Sequence, residues 1–154
     1  MTEPRWLSDD QQRWWRAYLE GTARFVDALD HAHADGVPLS LGEYHLMVQL
    51  SEAPGRTLRM SDLADYLALS RSRLTHTVDR MERRGLVRRE AVPGDRRGVN
   101  CVMTEAGWDL LVASAPAHVE AVRKYLVDVL TPEEFEVLGK AMAKVAEECK
   151  HALA

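Results

Sequence analysis

The stretch from residue 56 to residue 98 constrains the fold most, because two short helical segments and a hairpin follow one another there. It holds eleven arginines, no lysine and six acidic residues, which gives it a formal charge of +5. The rest of the chain carries −9, and the net charge is −4. Positive charge confined to one segment of an acidic chain predicts a local surface that binds a polyanion.

The first half of this stretch has the pattern of a helix-turn-helix unit. A short helix is predicted from Met60 to Leu67, and Ala68 with Leu69 forms a tight turn. Ser70 caps a second helix, which Gly85 ends. The apolar residues of this second helix recur at helical spacing at Leu74, Val78 and Met81. Two short helices around so brief a turn, the second rich in arginine, are typical of a DNA-reading unit.

Beyond Gly85 the apolar period changes to that of β-strands. Leu86–Ala91 and Val99–Met103 are predicted strands, and the turn-forming run Pro93–Gly98 lies between them as a hairpin tip. The hairpin predicts a wing beside the second helix.

Longer helices flank this unit. A first helix is predicted from Trp6 to about Ala34, and a second begins at Ser40, where Glu43 completes a capping box. After the wing, a helix begins at Thr104 with a kink expected at Pro116. A last helix begins at the run Thr131-Pro132-Glu133-Glu134. The predicted fold is mainly α with a small β-hairpin wing, in one domain, 1–154, whose winged helix-turn-helix lobe spans 40–104.

The motifs of the chain, in their order and spacing, resemble those of the MarR family of winged-helix transcriptional regulators. The resemblance covers about Leu19 to Val145 and lies in these runs: Leu58–Ala64, Ser70–Thr75, Val78–Glu82, Gly85–Val87, Asp95–Gly98 and Thr104–Gly107. It implies a homodimer in which residues 1–35 and 105–154 supply dimerisation helices. It also implies a repressor that places helix 70–84 in the major groove of double-stranded DNA and wing 92–98 in the minor groove.

A turn of 100° per residue places Ser72, His76, Asp79 and Arg83 opposite the apolar stripe of the second helix. We assign base edges or nearby phosphates to Ser72, Arg73, Thr75 and His76, and backbone phosphates to Arg71, Arg80 and Arg83. Asp79 would be repelled by phosphates, and we expect Arg83, one helical turn on, to neutralise it.

In the wing, the resemblance implies that Arg97 enters the minor groove while Asp95 holds its guanidinium in position. Arg96 is expected either to enter the minor groove as well or to bind a phosphate. Arginine suits a narrow groove, where negative potential concentrates. Arg88 and Arg89 are adjacent on a strand and point to opposite faces, so we expect one of them at most to contact DNA.

The family's usual trigger is a small aromatic or phenolic acid bound between the dimerisation helices and the lobe. The matching region offers aromatic and polar candidates to line such a pocket: Trp14, Trp15, Arg16, Tyr18, Tyr44 and His45. Packing in a dimer core is the competing interpretation for most of them.

Other triggers are weaker alternatives. A zinc-responsive regulator of the same fold is one alternative, since the chain has six histidines: His31, His33, His45, His76, His118 and His151. Only the first two are close in sequence, and their i, i+2 spacing splays them on a helix, so no metal or other cofactor is predicted. Cys101 in a wing strand and Cys149 on an apolar stripe favour inert packing over redox sensing.

Two other classes of function are disfavoured. Ser72, His76 and Asp79 are spaced like a nucleophile, base and acid, but they lie on a convex surface without a cleft, so no enzyme is predicted. A non-specific DNA-organising protein would need broad phosphate neutralisation, which the acidic total charge opposes.

The sequence offers no apolar window of 18 residues and no apolar run after Thr2-Glu3-Pro4-Arg5, so neither a membrane span nor a secretion signal is expected. Two cysteines are too few for a disulfide scaffold. We therefore expect the protein in the cytoplasm.

Overall fold

The computed structural model describes residues 3–153, with side chains for 3–150; Met1, Thr2, Ala154 and the side chain of His151 lie outside it. Within that range the protein is mostly helical with one small sheet, which confirms the predicted fold class. The elements are α1 (Asp9–Gly36), α2 (Leu41–Glu52), a 3₁₀ turn (Pro54–Arg56), β1 (Thr57–Arg59), α3 (Met60–Tyr66), α4 (Arg71–Arg83), β2 (Val87–Val92), β3 (Asp95–Met103), α5 (Glu105–Val122), a π-helical turn (Arg123–Val127) and α6 (Pro132–Leu153).

The chain divides into two compact units, one of residues 30–118 and one of residues 1–29 with 119–154. The first, called the lobe below, holds the whole sheet and the helices α2 to α4. The second, called the helical unit, holds α6 and most of α1.

The lobe has a closed apolar core. Ser40 and Glu43 form the predicted capping box at the start of α2. Seven core side chains of α2, α3 and α4 are at most 1% exposed: Leu46, Met47, Leu50, Leu63, Leu74, Val78 and Met81. Burial of this stripe fixes which face of α4 turns inward, so its opposite face is left to solvent.

The sheet is antiparallel, with strand order β1-β3-β2. The sequence analysis missed β1, whose residues Thr57 and Leu58 pair with Val102 and Cys101. Three residues are too few to show an alternating pattern, and their partners lie some forty residues further along the chain.

The hairpin tip is shorter than predicted. Only Pro93 and Gly94 form the turn, with Gly94 at φ +79°, a left-handed conformation that glycine adopts without strain. Val92 pairs with Asp95 and Ala91 with Val99, so residues 96–98 bulge out of β3. The expected loop Pro93–Gly98 was wrong beyond Gly94, because a bulge is a departure from strand register that composition does not reveal.

The remaining helices differ in detail from the predictions. The first helix begins at Asp9 rather than Trp6, because Ser8 and Gln11 form a capping box immediately before it. Helix α5 continues through Pro116 without a break, and the irregular turn comes later, at Arg123–Val127. The predicted capping box between Thr131 and Glu134 starts α6. No helix within residues 3–153 is long and apolar enough to cross a bilayer.

Candidate nucleic-acid interface

Helix α4 presents to solvent the residues that the sequence analysis selects. The Ser70 hydroxyl accepts from the Arg73 amide and caps the helix, as predicted. The side chains proposed to meet DNA on this helix are all exposed: Arg71, Ser72, Arg73, Thr75, His76, Arg80 and Arg83. The row is polar, and Asp79 is hydrogen-bonded to Arg89 rather than to His76, so these residues do not form the hydrogen-bond chain of a catalytic triad.

The eleven arginines of the basic stretch fall into two groups. Six contact acidic partners inside the lobe: Arg56, Arg59, Arg80, Arg84, Arg88 and Arg89. Within the described side chains, five have no carboxylate within 4 Å: Arg71, Arg73, Arg83, Arg96 and Arg97. These five lie on the solvent side of α4 and in the bulge of β3, and they carry the positive charge that remains available to an external polyanion.

Arg89 of β2 holds α4 from the inside. Its guanidinium donates to Asp79 Oδ1 at 2.5 Å and to Glu82 Oε2 at 2.7 Å, and Glu82 also accepts from the Arg89 amide at 2.8 Å. The hydrogen bond from Arg89 holds the pKa of Asp79 below its usual range. Arg83, expected to neutralise Asp79, lowers its pKa only as a nearby charge and ranks behind Arg89. The hydrogen-bonded cation comes from the neighbouring strand. Arg88, on the opposite face, pairs with Glu90.

A second inward contact lies at the end of α4. Glu43 of α2 is 6% exposed, and its carboxylate meets Arg84 Nη1 at 3.1 Å and Arg80 Nε at 3.7 Å. Arg84 also donates to the carbonyl of Pro38 at 2.6 Å. Arg80, which we expected on a phosphate, is thus directed toward Glu43 with half of its side chain exposed. The sequence analysis missed Arg84 and Glu43 as a pair, because no periodic relation links residues 41 positions apart.

In the wing, Asp95 organises the bulge. Its Oδ1 accepts from the backbone amide of Arg97 at 3.0 Å, and its Oδ2 accepts from Arg59 Nη1 of β1 at 3.1 Å. The amide of Arg97, followed by that of Gly98 and the Arg59 guanidinium, lowers the pKa of Asp95. The resemblance led us to expect Asp95 on the guanidinium of Arg97. Asp95 instead accepts a hydrogen bond from the backbone amide of Arg97. The guanidinium that it binds belongs to Arg59, which was not among the predicted site residues.

The bulge is tight at Gly98. A Cβ atom built there would lie 2.8 Å from both Asp95 Oδ2 and Val92 Cγ2, which is closer than real contacts allow. A glycine is therefore required for the carboxylate of Asp95 to reach the backbone of the bulge, and the side chains of Arg96 and Arg97 remain exposed at its surface.

A groove on this face joins the helix to the wing. Four guanidinium groups line it, those of Arg59, Arg71, Arg89 and Arg97, with Asp95 as the one carboxylate among its lining residues. Arg59 and Arg89 are already paired, so Arg71 and Arg97 leave two uncompensated positive charges across the groove. Such an arrangement suits a phosphate.

The residues chosen for an effector fall into two groups. Trp15 and Tyr18 stack in the helical unit with ring centroids 5.9 Å apart, and Trp14 and Arg16 are exposed in the same unit. Tyr44 and His45 belong to the lobe, with ring centroids 6.5 Å apart. Their role in binding stays a prediction.

The lobe brings together three histidines that the sequence keeps far apart. His33 and His118 are hydrogen-bonded, and the ring of His45 lies 6.1 Å from that of His118. Even so, no group of three or more histidine, cysteine or acidic side chains among the described residues is arranged to hold a metal ion. Cys101 is fully buried, and burial raises the pKa of its thiol to about 12, which makes it a poor nucleophile. Cys149 is exposed and free.

Comparison with known proteins places these features in context. A model of the MarR family matches residues 35–98. The solved structure of Sco3205 from Streptomyces coelicolor, a MarR family transcriptional regulator in complex with DNA, is 43% identical, with a TM-score of 0.89 over 96% of this chain and 92% of that chain. AbsC, a MarR family regulator of the same organism, is 40% identical, with a TM-score of 0.87 over 96% and 99%. The HTH-type transcriptional regulator PecS of Dickeya dadantii is 34% identical over 96 residues, which span 61% of this chain and 55% of PecS.

Proposed function

The chain belongs to the MarR family of DNA-binding transcriptional regulators, and from this premise we propose that it is a homodimeric repressor of a pseudo-palindromic operator in the cytoplasm. The observation that carries the proposal is the division of its arginines. Those without an acidic partner collect on the solvent side of α4 and in the wing, where the relative Sco3205, solved with DNA, has the same fold.

In this proposal α4 enters the major groove and the wing enters the minor groove. The base-reading set lies in the first turns of the recognition helix: Ser72, Arg73, Thr75 and His76. Arg71 and Arg83 contact phosphates, because they are exposed, unpaired and near the two ends of the helix. Arg97, with Arg96 beside it, reaches the minor groove from a bulge whose backbone Asp95 fixes.

The helical unit supports the homodimer. Its large apolar side chains are unusually exposed, among them Trp14 at 64%, Val129 at 69% and Val137 at 67%. A water-facing apolar surface of this extent favours association, and a second copy of the same chain gives it two-fold symmetry. Two identical lobes then favour an inverted repeat whose half-sites lie roughly 10 base pairs apart.

A small aromatic or phenolic acid is the proposed effector. Such a ligand lowers DNA affinity if it binds better to a spacing of the two recognition helices that does not fit DNA, and it shifts the population by that difference in affinity. Screening these acids for loss of DNA binding tests this part of the proposal.

The central experiment selects duplexes from a random library with the full-length dimer and then footprints the protein on the selected sequence. We expect a dyad footprint, and a large excess of random duplex should compete poorly, because a regulator retains a strong preference for its site. A footprint without a dyad, equal affinity for scrambled duplex, or a monomer at working concentration would contradict the proposal. Equal affinity would favour a DNA-organising role instead.

A further inference from the structure

A buried and a half-buried imidazole in the lobe, those of His33 and His118, form a hydrogen-bonded pair. His33 of α1 is 1% exposed; its Nδ1 lies 2.9 Å from the carbonyl oxygen of Leu39, and its Nε2 lies 2.9 Å from Nδ1 of His118 on α5. A carbonyl only accepts, so the proton of a neutral His33 is on Nδ1. Nε2 of His33 then accepts, and Nδ1–H of His118 donates to it. The pair therefore has one direction, from His118 through His33 to Leu39.

The surroundings of His118 disfavour its charged form. The ring of Tyr44 stacks on His118 with centroids 4.0 Å apart, and His45, also on α2, lies 6.1 Å from His118. Burial, followed by the nearby His33 and His45, lowers the pKa of His118 to about 4. The pKa of His45 is also lowered, by burial and His33, with Asp30 of α1 acting in the opposite direction. At neutral pH the hydrogen-bond chain is thus intact.

The hydrogen bonds of the histidine pair end at Leu39, in the segment of residues 37–40. The end of the recognition helix contacts the same segment. Arg84, the residue at which α4 ends, donates to the carbonyl of Pro38, the neighbour of Leu39. Arg84 also bonds Glu43, whose carboxylate accepts from the amide of Ser40. Residues 37–40 are therefore held by hydrogen bonds both from the histidine pair and from the end of α4.

We propose that the His33–His118 pair positions the recognition helix through residues 37–40 and Arg84, and that protonation of the pair weakens DNA binding. The proposal rests on the DNA-binding function of this chain. A proton from solvent enters at Nε2 of His118, the one ring nitrogen that the pair leaves open. The cation then lies against the buried rings of His33 and Tyr44 and beside His45, so a conformer that exposes His118 more fully to water is favoured.

The direction of the pH effect separates this proposal from general charge effects. Acidification makes the whole protein more positive, so general electrostatics strengthens DNA binding as pH falls. Protonation of the pair has the opposite sign. If His118 has its ordinary pKa in the released conformer, affinity falls by up to about tenfold between pH 7.5 and 5.5.

The test measures the affinity of the full-length protein for the selected duplex at pH 7.5 and 5.5, at constant ionic strength. His118→Asn keeps an N–H donor without titrating, so it should hold the pH 7.5 affinity within about twofold and lose the acid weakening. His118→Leu removes the donor and should bind more weakly already at pH 7.5. His31→Asn, which removes an imidazole two residues from His33 and on another side of α1, should retain the acid weakening.

A double-mutant cycle tests the path to the helix. His118→Leu and Arg84→Gln should weaken binding non-additively if both act through residues 37–40. Additive effects, stronger wild-type binding at pH 5.5, or a His118→Asn variant with the wild-type pH profile would each overturn the proposal. If Arg97→Ala still weakens binding to the selected duplex in such a case, the DNA-binding function stands and only this inference fails.

Discussion

On the side of α4 that faces β2 and α2, Arg89 and the helix-ending Arg84 contact carboxylates. On its solvent side, Arg73 and Arg83 have no carboxylate within 4 Å among the side chains that the structure describes. The inner arginines satisfy Asp79, Glu82 and the buried Glu43, and in doing so they cancel negative charge that would otherwise repel DNA. The outer arginines keep their charge. Arginine thus holds α4 in place on one side and supplies positive charge for DNA on the other. Variants of the inner group should lower stability, whereas variants of the outer group should lower only DNA affinity.

The largest expected effect follows the replacement of Arg89, an arginine that contacts carboxylates on the inner side of α4. Arg89→Met leaves Asp79 and Glu82 without their hydrogen-bonded partner, so the denaturant concentration at the unfolding midpoint should fall, measured by chemical denaturation. DNA affinity should fall with it, because α4 is no longer held in position and Asp79 is no longer neutralised. Arg88→Met, on the opposite face of β2, is the matched control and should change stability by less than about 0.5 kcal/mol. Equal destabilisation of the two variants would remove the proposed division.

The next effect concerns the wing. Arg97→Ala should weaken binding to the selected duplex on the order of 30-fold, because it removes the guanidinium that we propose for the minor groove, while the unfolding midpoint stays unchanged. Fluorescence anisotropy measures the affinity, with Arg88→Ala as control. A variant of Arg97 that unfolds more easily but binds normally would place this residue in the inner group.

The smallest effect is expected at the end of the outer face. Arg83→Ala should reduce affinity only a few-fold and to the same extent on selected and random duplexes, since a bond to a phosphate carries no sequence information. The slope of log affinity against log salt should become shallower by about 1 for each phosphate that the protein no longer neutralises. Weaker binding confined to the selected sequence would instead mark Arg83 as a base-reading residue.

Local signals predicted most of the helices and their caps. The boxes at Ser40 and Thr131 and the cap at Ser70 act over three residues, so spacing alone identifies them, and all three are formed. The bulge after Asp95 and the three-residue strand β1 escaped prediction, since both depend on strand pairing that local composition does not encode. The same holds for Asp79, whose partner came from the next strand rather than from its own helix.

The sequence by itself determined the order of elements, the inward stripe of α4 and the local excess of arginine, because periodicity, capping and charge are written within a few residues. Only the tertiary structure decided which arginines are available, since a guanidinium is neutralised by whatever carboxylate the fold places within reach. It also decided that His33 and His118, 85 residues apart, share a hydrogen bond. Residue spacing predicts neither of these long-range pairings, because each forms only when the core of the lobe is closed.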